Sequence, residues 1–291
     1  MKRILTLFLI IILLSGCSAQ TPAQIAATTL PVYEFTSRLC EGTGLTVTRL
    51  VTEEVSCLHD YSLNVRQVKA AEAAEAIVLS GAGLEEFMED LLQDRQTIDA
   101  SAGIELLCPE EDHGHDHDHG HEGHHHESDP HIWLSPAHAK AMVTNIHAGL
   151  SSQYPQHTER FSANEASLLA ELTALEVYGS EALADLSCRE MITFHDGFSY
   201  FADAFGLTIL EAVEEESGSE ASAKELIHLI EEVEHHSLPA IFTEKSGSVS
   251  AASIIARETG CGSFPLDMAM AGDSYFEAMY HNIDTIKEAL G

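Results

Sequence analysis

The chain has 291 residues, 47 of them acidic and 14 basic, for a formal charge of −33. Apolar residues make up 45% and charged residues 21%, a balance that supports a packed core and excludes a largely disordered chain. The acidic excess excludes nucleic acid as a partner, because phosphate backbones are gripped by basic faces, and it favours cations. Eighteen histidines are the unusual feature, since imidazole is the commonest transition-metal ligand.

Lys2 and Arg3 precede an apolar run, Ile4 to Leu14, that is too short to span a membrane and suits a signal peptide. Leu14-Ser15-Gly16-Cys17 resembles a bacterial lipobox, which implies cleavage before Cys17 and lipid on that residue. The mature chain is then expected outside the cytoplasmic membrane, attached through lipid alone, with Gln20 to Gln24 as a tether. Of the other cysteines, Cys40, Cys57, Cys108, Cys188 and Cys261, at least one has no partner within the chain. None shows CxxC spacing, and no pairing follows from the sequence.

The first stretch alternates strands and helices. Gln24 to Thr28 leads into Pro31, which opens a helix through Leu39; Leu45 to Val51 reads as a strand and Asn64 to Ala73 as a helix. Ala76 to Leu79 is a strand stopped at Gly81-Ala82-Gly83. Leu84 to Leu92 is expected to be a helix with Leu84, Phe87, Met88, Leu91 and Leu92 on one face, before an edge strand at Thr97 to Ala100.

Residues 110–129 are a low-complexity tract holding His113, His115, His117, His119, His121, His124, His125 and His126 among carboxylates and glycines. So polar a segment is expected to be a mobile loop. Its donors suit zinc, nickel or copper, but a loop without fixed geometry is expected to bind several ions weakly.

Ser135-Pro136 caps a helix to about Ser152, and Pro155 starts a second helix to about Leu186 with Phe161, Leu168, Leu169, Leu172, Leu175 and Val177 as its apolar stripe. A rod of about 30 residues is about 45 Å long, enough to link two domains. Two helices broken near Gly179 are the alternative. Beyond it the βα rhythm returns: strands at Glu190 to Phe194, Thr208 to Ala212, Ala240 to Thr243 and Phe264 to Leu266, and helices at Phe198 to Phe205, Ser222 to His235, Val249 to Thr259 and Glu277 to Leu290. This alternation predicts an α/β fold with parallel sheets flanked by helices.

A tight metal site needs three or four donors on ordered backbone. His59, His131 and His195 stand where α/β folds place ligands, in turns after strands or before helices. His138, His147, His157 and His281 read as surface residues, and His228, His235 and His236 as a solvated helix face.

His59-Asp60-Tyr61-Ser62-Leu63, Gly81-Ala82-Gly83-Leu84-Glu85, the histidine-rich loop, Asp129-Pro130-His131-Ile132-Trp133-Leu134, Phe194-His195-Asp196 and Phe242-Thr243-Glu244 occur in one order. Together they resemble the zinc-uptake branch of the metal-binding solute-binding lipoproteins of ABC transporters (cluster A-I). The resemblance implies two α/β lobes, each with a parallel sheet, joined by a long rigid helix, with one metal in the cleft between them. It divides the chain into a signal peptide and lipidated cysteine at 1–17, an N-terminal lobe at 18–134, linking helices at 135–187 and a C-terminal lobe at 188–291.

Carried onto this sequence, the resemblance makes His59 and His131 ligands from the first lobe and His195 from the second, with Asp267 or water as the fourth. Proline is common before the first histidine in that family, whereas Cys57-Leu58 stands here. Three imidazoles and one oxygen favour Zn2+ over manganese. The implied partners are an ABC permease and its ATPase, and the protein is expected to be a monomer that does no chemistry. The alternatives are a manganese or iron receptor of the same family, a metal-binding surface adhesin, and a metal-water hydrolase. The last has no HExxH, no GxSxG and no evident general base.

Overall fold

Short apolar segments, each ended by a turn or a cap, build two sheets. The computed structural model describes residues 24–53, 58, 61–107, 128–213, 222–245 and 247–291. The first sheet contains β1 (Ile25–Ala27), β2 (Val47–Arg49), β3 (Ala76–Leu79) and β4 (Thr97–Asp99), all parallel, in the order β2-β1-β3-β4. The second contains β5 (Glu190–Thr193), β6 (Thr208–Ala212), β7 (Ala240–Glu244) and β8 (Gly262–Leu266), also parallel, in the order β6-β5-β7-β8. The two sheets thus share one topology. In each, the connections diverge between the first and third strands, and a parallel sheet offers a crevice at the carboxyl ends of such a pair. In the second sheet those ends lead into Phe194-His195 and Lys245.

The helices are α1 (Leu30–Leu39), α2 (Val65–Ala73), α3 (Glu89–Leu92), α4 (Pro136–Gln153), α5 (Thr158–Ala182), α6 (Ser199–Phe205), α7 (Ala223–His236), α8 (Ser250–Thr259) and α9 (Tyr275–Leu290). Local chemistry sets their ends. Pro31 and Pro136 lie in first turns, where no amide donor is needed. Asn64 with Gln67 and Ser222 with Glu225 form capping boxes that satisfy exposed amides of α2 and α7. Gly206 (φ 66°) and Gly260 (φ 80°) end α6 and α8 in the left-handed region.

Two expectations are corrected. The helix expected over Leu84 to Leu92 is a 3-10 turn, Glu86–Met88, followed by the single turn α3. The cause is Glu85, whose side chain folds back onto the strand ends. Its Oε1 accepts from the Thr28 hydroxyl at 2.6 Å and the Ser80 amide at 2.7 Å, and its Oε2 from the Gly81 amide at 3.0 Å. The long helix is also shorter than expected: Pro155–His157 is a 3-10 turn, and α5 has 25 residues, about 38 Å. Val177 is exposed and leaves the apolar stripe. Gly179 does not break the helix. A Cβ there would lie 2.3 Å from Phe205 Cε1 and 3.1 Å from Ile283 Cδ1, so its hydrogen lets those side chains close against α5.

One buried cluster runs from Ile25 and Phe35 through Leu168, Leu172 and Leu175 to Tyr275, Ile283 and Leu290, so both halves share a core along α5 and α9. The connection from β8 to α9 is also fastened to the N-terminal half. Trp133 Nε1 donates to the Met268 carbonyl at 2.7 Å, and Tyr275 donates to the Trp133 carbonyl at 2.8 Å. The Leu30 amide donates to the Met270 carbonyl at 3.2 Å, Arg49 to the Gly272 carbonyl at 2.7 Å, and the Tyr275 amide to Glu34 at 2.6 Å. Among the described residues no helix is long and apolar enough to cross a membrane.

Candidate metal centre

His131 enters a 3-10 turn, Ile132–Leu134, whose three side chains are fully buried. Those anchors fix the turn, and Asp129 fixes the imidazole. Asp129 Oδ1 accepts the His131 amide at 2.9 Å and lies 2.8 Å from Nδ1. The pairing makes Nδ1 the protonated nitrogen and leaves the Nε2 lone pair for a metal. The second oxygen, Asp129 Oδ2, is buried without a hydrogen-bond partner among the described residues.

His195 follows β5. Its Nδ1 lies 3.7 Å from Oε2 of Glu244, a buried carboxylate at the end of β7. The His131 and His195 rings meet edge-on, with centroids 5.3 Å apart and planes at 82°. One histidine from each half therefore converges at the crevice, each beside its own carboxylate. Gly197 allows the approach: a Cβ there would lie 2.6 Å from Met268 Cε, 2.8 Å from His195 Cδ2 and 3.0 Å from His131 Nδ1.

Asp267 lies directly after β8. Its backbone is held on both sides by the buried Asn282 side chain, which accepts the Asp267 amide and donates to its carbonyl, each at 2.7 Å. Its Oδ1 accepts the Ala269 amide at 2.8 Å, and its Oδ2 takes the Lys245 ammonium at 3.0 Å. Among the described residues no three histidine, cysteine, aspartate or glutamate side chains form a metal-holding group. His59 lies outside the described residues, as do Cys17, Cys57, Cys108 and the eight tract histidines. Of the described residues nearest it, Leu58 is buried, and Tyr61 donates to Glu53 at 2.7 Å while accepting from Gln67 Nε2 at 2.6 Å.

The root of the histidine-rich segment is closed beside His131. The Asp129 amide donates to the Leu107 carbonyl at 3.1 Å. The Tyr200 hydroxyl on α6 accepts the Leu107 amide at 2.9 Å and donates to the Asp129 carbonyl at 2.9 Å.

Other histidines need correction. His138 is half-buried, edge-on to Tyr200 at 5.1 Å, and burial holds its pKa below the usual imidazole range. His147 is mostly covered and lies 3.3 Å from Glu165. His228 and His236 do lie along a carboxylate-rich face, 3.2 Å from Glu211 and 2.9 Å from Glu190. Among the described residues Cys40, Cys188 and Cys261 are free thiols, and burial pushes Cys40 up to about 12. Sequence reading assigned no role to Asp129, Glu244 or Gly197. An acid two residues before a candidate ligand was a usable signal for Asp129; Glu244 stood out only as the end of the Phe242-Thr243-Glu244 motif, and Gly197 carried no signal.

The model of the family described as zinc-uptake complex component A, periplasmic (ZnuA), matches residues 25–289. The chain belongs to this family. The ZnuA family comprises solute-binding receptors that serve ABC permeases, not enzymes. A prokaryotic membrane lipoprotein lipid attachment site matches residues 1–18, so the protein is extracytoplasmic and lipid-anchored. The zinc-binding lipoprotein AdcA of Streptococcus pneumoniae is 32% identical over 99% of this chain and 61% of its own length. The chain thus spans about three-fifths of that curated relative. A crystal structure of ZnuA superposes with a TM-score of 0.78 at 30% identity, covering 92% of this chain and all of that one. The Zn(II)-bound ZnuA-like domain of Streptococcus pneumoniae AdcA gives 0.76 at 26% identity, covering 91% and 98%.

Proposed function

We propose that the protein is an extracytoplasmic receptor that captures Zn2+ and passes it to an ABC permease with its ATPase. The observation that carries this is the edge-on meeting of His131 and His195, one from each half, with their Nδ1 atoms beside Asp129 and Glu244. Carboxylates on the outer nitrogens orient imidazoles for metal binding and raise their basicity. His59 supplies the third imidazole and Asp267 or water the fourth donor, a set that suits tetrahedral zinc. The lobes are residues 18–134 and 188–291, joined by 135–187. The protein works as a monomer and catalyses no reaction. Residues 113–126 hold further zinc weakly. The Zn(II)-bound AdcA domain supports the choice of metal.

The fastenings of the β8–α9 connection to Leu30, Arg49, Glu34 and Trp133 resist wide opening. Zinc therefore enters and leaves through local rearrangement of side chains and loops.

The test is zinc and manganese titration of the full chain in detergent micelles, beside the triple variant His59→Ala, His131→Ala, His195→Ala and a chain lacking Asp112 to His126. The expected result is one tight zinc site that the triple variant loses and the deletion keeps. Tight binding that survives the triple variant overturns the cleft assignment, and a preference for manganese overturns the metal.

A further inference from the structure

We propose that Lys245 competes with zinc for the Asp267 carboxylate and thereby sets both the affinity of the site and the ease of release. The inference deepens the reading above and rests on Asp267 being a ligand.

Lys245 directly follows Glu244, which lies beside His195, and its amide donates to the Leu266 carbonyl at 2.8 Å. That bond holds it alongside the residue before Asp267. Its ammonium then reaches Oδ2 at 3.0 Å, while the Ala269 amide takes Oδ1. Both carboxylate oxygens are thus engaged, one by a fixed backbone donor and one by a flexible cation.

The two partners differ in freedom. Asp267 is clamped through its own amide and carbonyl by buried Asn282. The Lys245 side chain is 59% exposed. When zinc takes Oδ2, Lys245 is the group that moves away from the carboxylate. An exposed ion pair of this kind is worth up to about fivefold in an equilibrium constant. The nearby positive charge further disfavours a divalent ion. As zinc leaves, the same ammonium returns to the oxygen it vacates, so the carboxylate does not draw the ion back. In a chain with 14 basic residues against 47 acidic ones, a cation at this carboxylate runs against the average surface.

The test is zinc competition against a chromophoric chelator at neutral pH, together with the rate of zinc loss to excess chelator, on the full chain in detergent micelles. The variants are Lys245→Met, Lys245→Arg, Asp267→Asn and the Lys245→Met, Asp267→Asn double variant. Lys245→Met is expected to bind zinc about three- to tenfold more tightly and to release it correspondingly more slowly. Lys245→Arg should not tighten binding. Asp267→Asn, which still accepts the Ala269 amide, should weaken binding more than tenfold, and on that background Lys245→Met should change nothing.

Unchanged or weaker binding in Lys245→Met, with Asp267→Asn impaired, overturns the competition and leaves Asp267 a ligand. An effect of Lys245→Met that persists on the Asp267→Asn background also overturns it, because the lysine would then act elsewhere. Unchanged binding in Asp267→Asn removes Asp267 from the site and the proposal with it.

Discussion

Replacing Gly197 with alanine tests the site without replacing a proposed ligand. The added methyl would sit 2.6 Å from Met268 Cε, 2.8 Å from His195 Cδ2 and 3.0 Å from His131 Nδ1. Ordinary carbon contacts are about 3.5–4.0 Å, so at least one neighbour must move by roughly 1 Å. The Met268 terminus can turn aside, but the two rings have less room. His131 is held by Asp129 at 2.8 Å and lies over three buried side chains. Overpacking of this kind costs about 1–3 kcal/mol. If that strain is relieved by spreading the rings, zinc affinity falls about 5- to 150-fold, at roughly tenfold per 1.4 kcal/mol. The assay is chelator competition for zinc with the metal-free melting temperature measured in parallel. Gly179→Ala is the control, since its Cβ would strain Phe205 and Ile283 away from the histidines. It should lower the melting temperature and leave zinc affinity within about twofold. Wild-type zinc affinity in Gly197→Ala would refute the reasoning, because the methyl would have been accommodated without moving either ring.

Two further outcomes follow from carboxylates placed by the fold. Asp129→Ala removes the acceptor at His131 Nδ1 and should weaken zinc binding about 10- to 100-fold, with a smaller loss in Asp129→Asn; titration of both variants checks this. Burial raises the Glu85 carboxyl to about 7 from 4.5, against hydrogen bonds from Thr28, Ser80 and Gly81 and with Asp99 adding repulsion. The folded protein therefore holds a proton that the unfolded chain has already lost. The resulting stabilisation, of order 3 kcal/mol, is complete below about pH 4.5 and is lost as pH rises through about 7. Denaturant unfolding of the metal-free chain between pH 5 and 8 should show that decline in the wild type and a flatter profile in Glu85→Gln; equal slopes would contradict the assignment.

The elements that sequence reading found are those whose ends are set by neighbouring residues. Pro31, Pro136 and the Asn64 and Ser222 caps act within one turn, so their helices start within a residue or two of expectation. The segment after Leu84 departs from expectation where Glu85 folds back onto the neighbouring Ser80 and Gly81 amides and onto Thr28, 57 residues away in the chain. The candidate site divides in the same way. His131 and His195 were visible as histidines in turns, but their meeting depends on how the two halves pack. Asp129 was within local reach of His131. Glu244 was visible as part of a motif, but its pairing with His195 and that of Lys245 with Asp267 were not legible, because those partners follow other strands of the second sheet.

The closure at Leu107 and Asp129 has a consequence for how such a receptor can change. The chain departs and returns across one backbone hydrogen bond, with Tyr200 bridging both sides. Whatever number of residues lies between, the rest of the fold meets the same two endpoints. The entropic cost of closing a loop rises only by about 0.6 kcal/mol for each doubling of its length. The number of histidines carried there can therefore grow or shrink with little penalty to the two sheets and without shifting His131. The weak zinc binding proposed for residues 113–126 and the affinity proposed for the cleft are then separately adjustable quantities, open to selection one at a time.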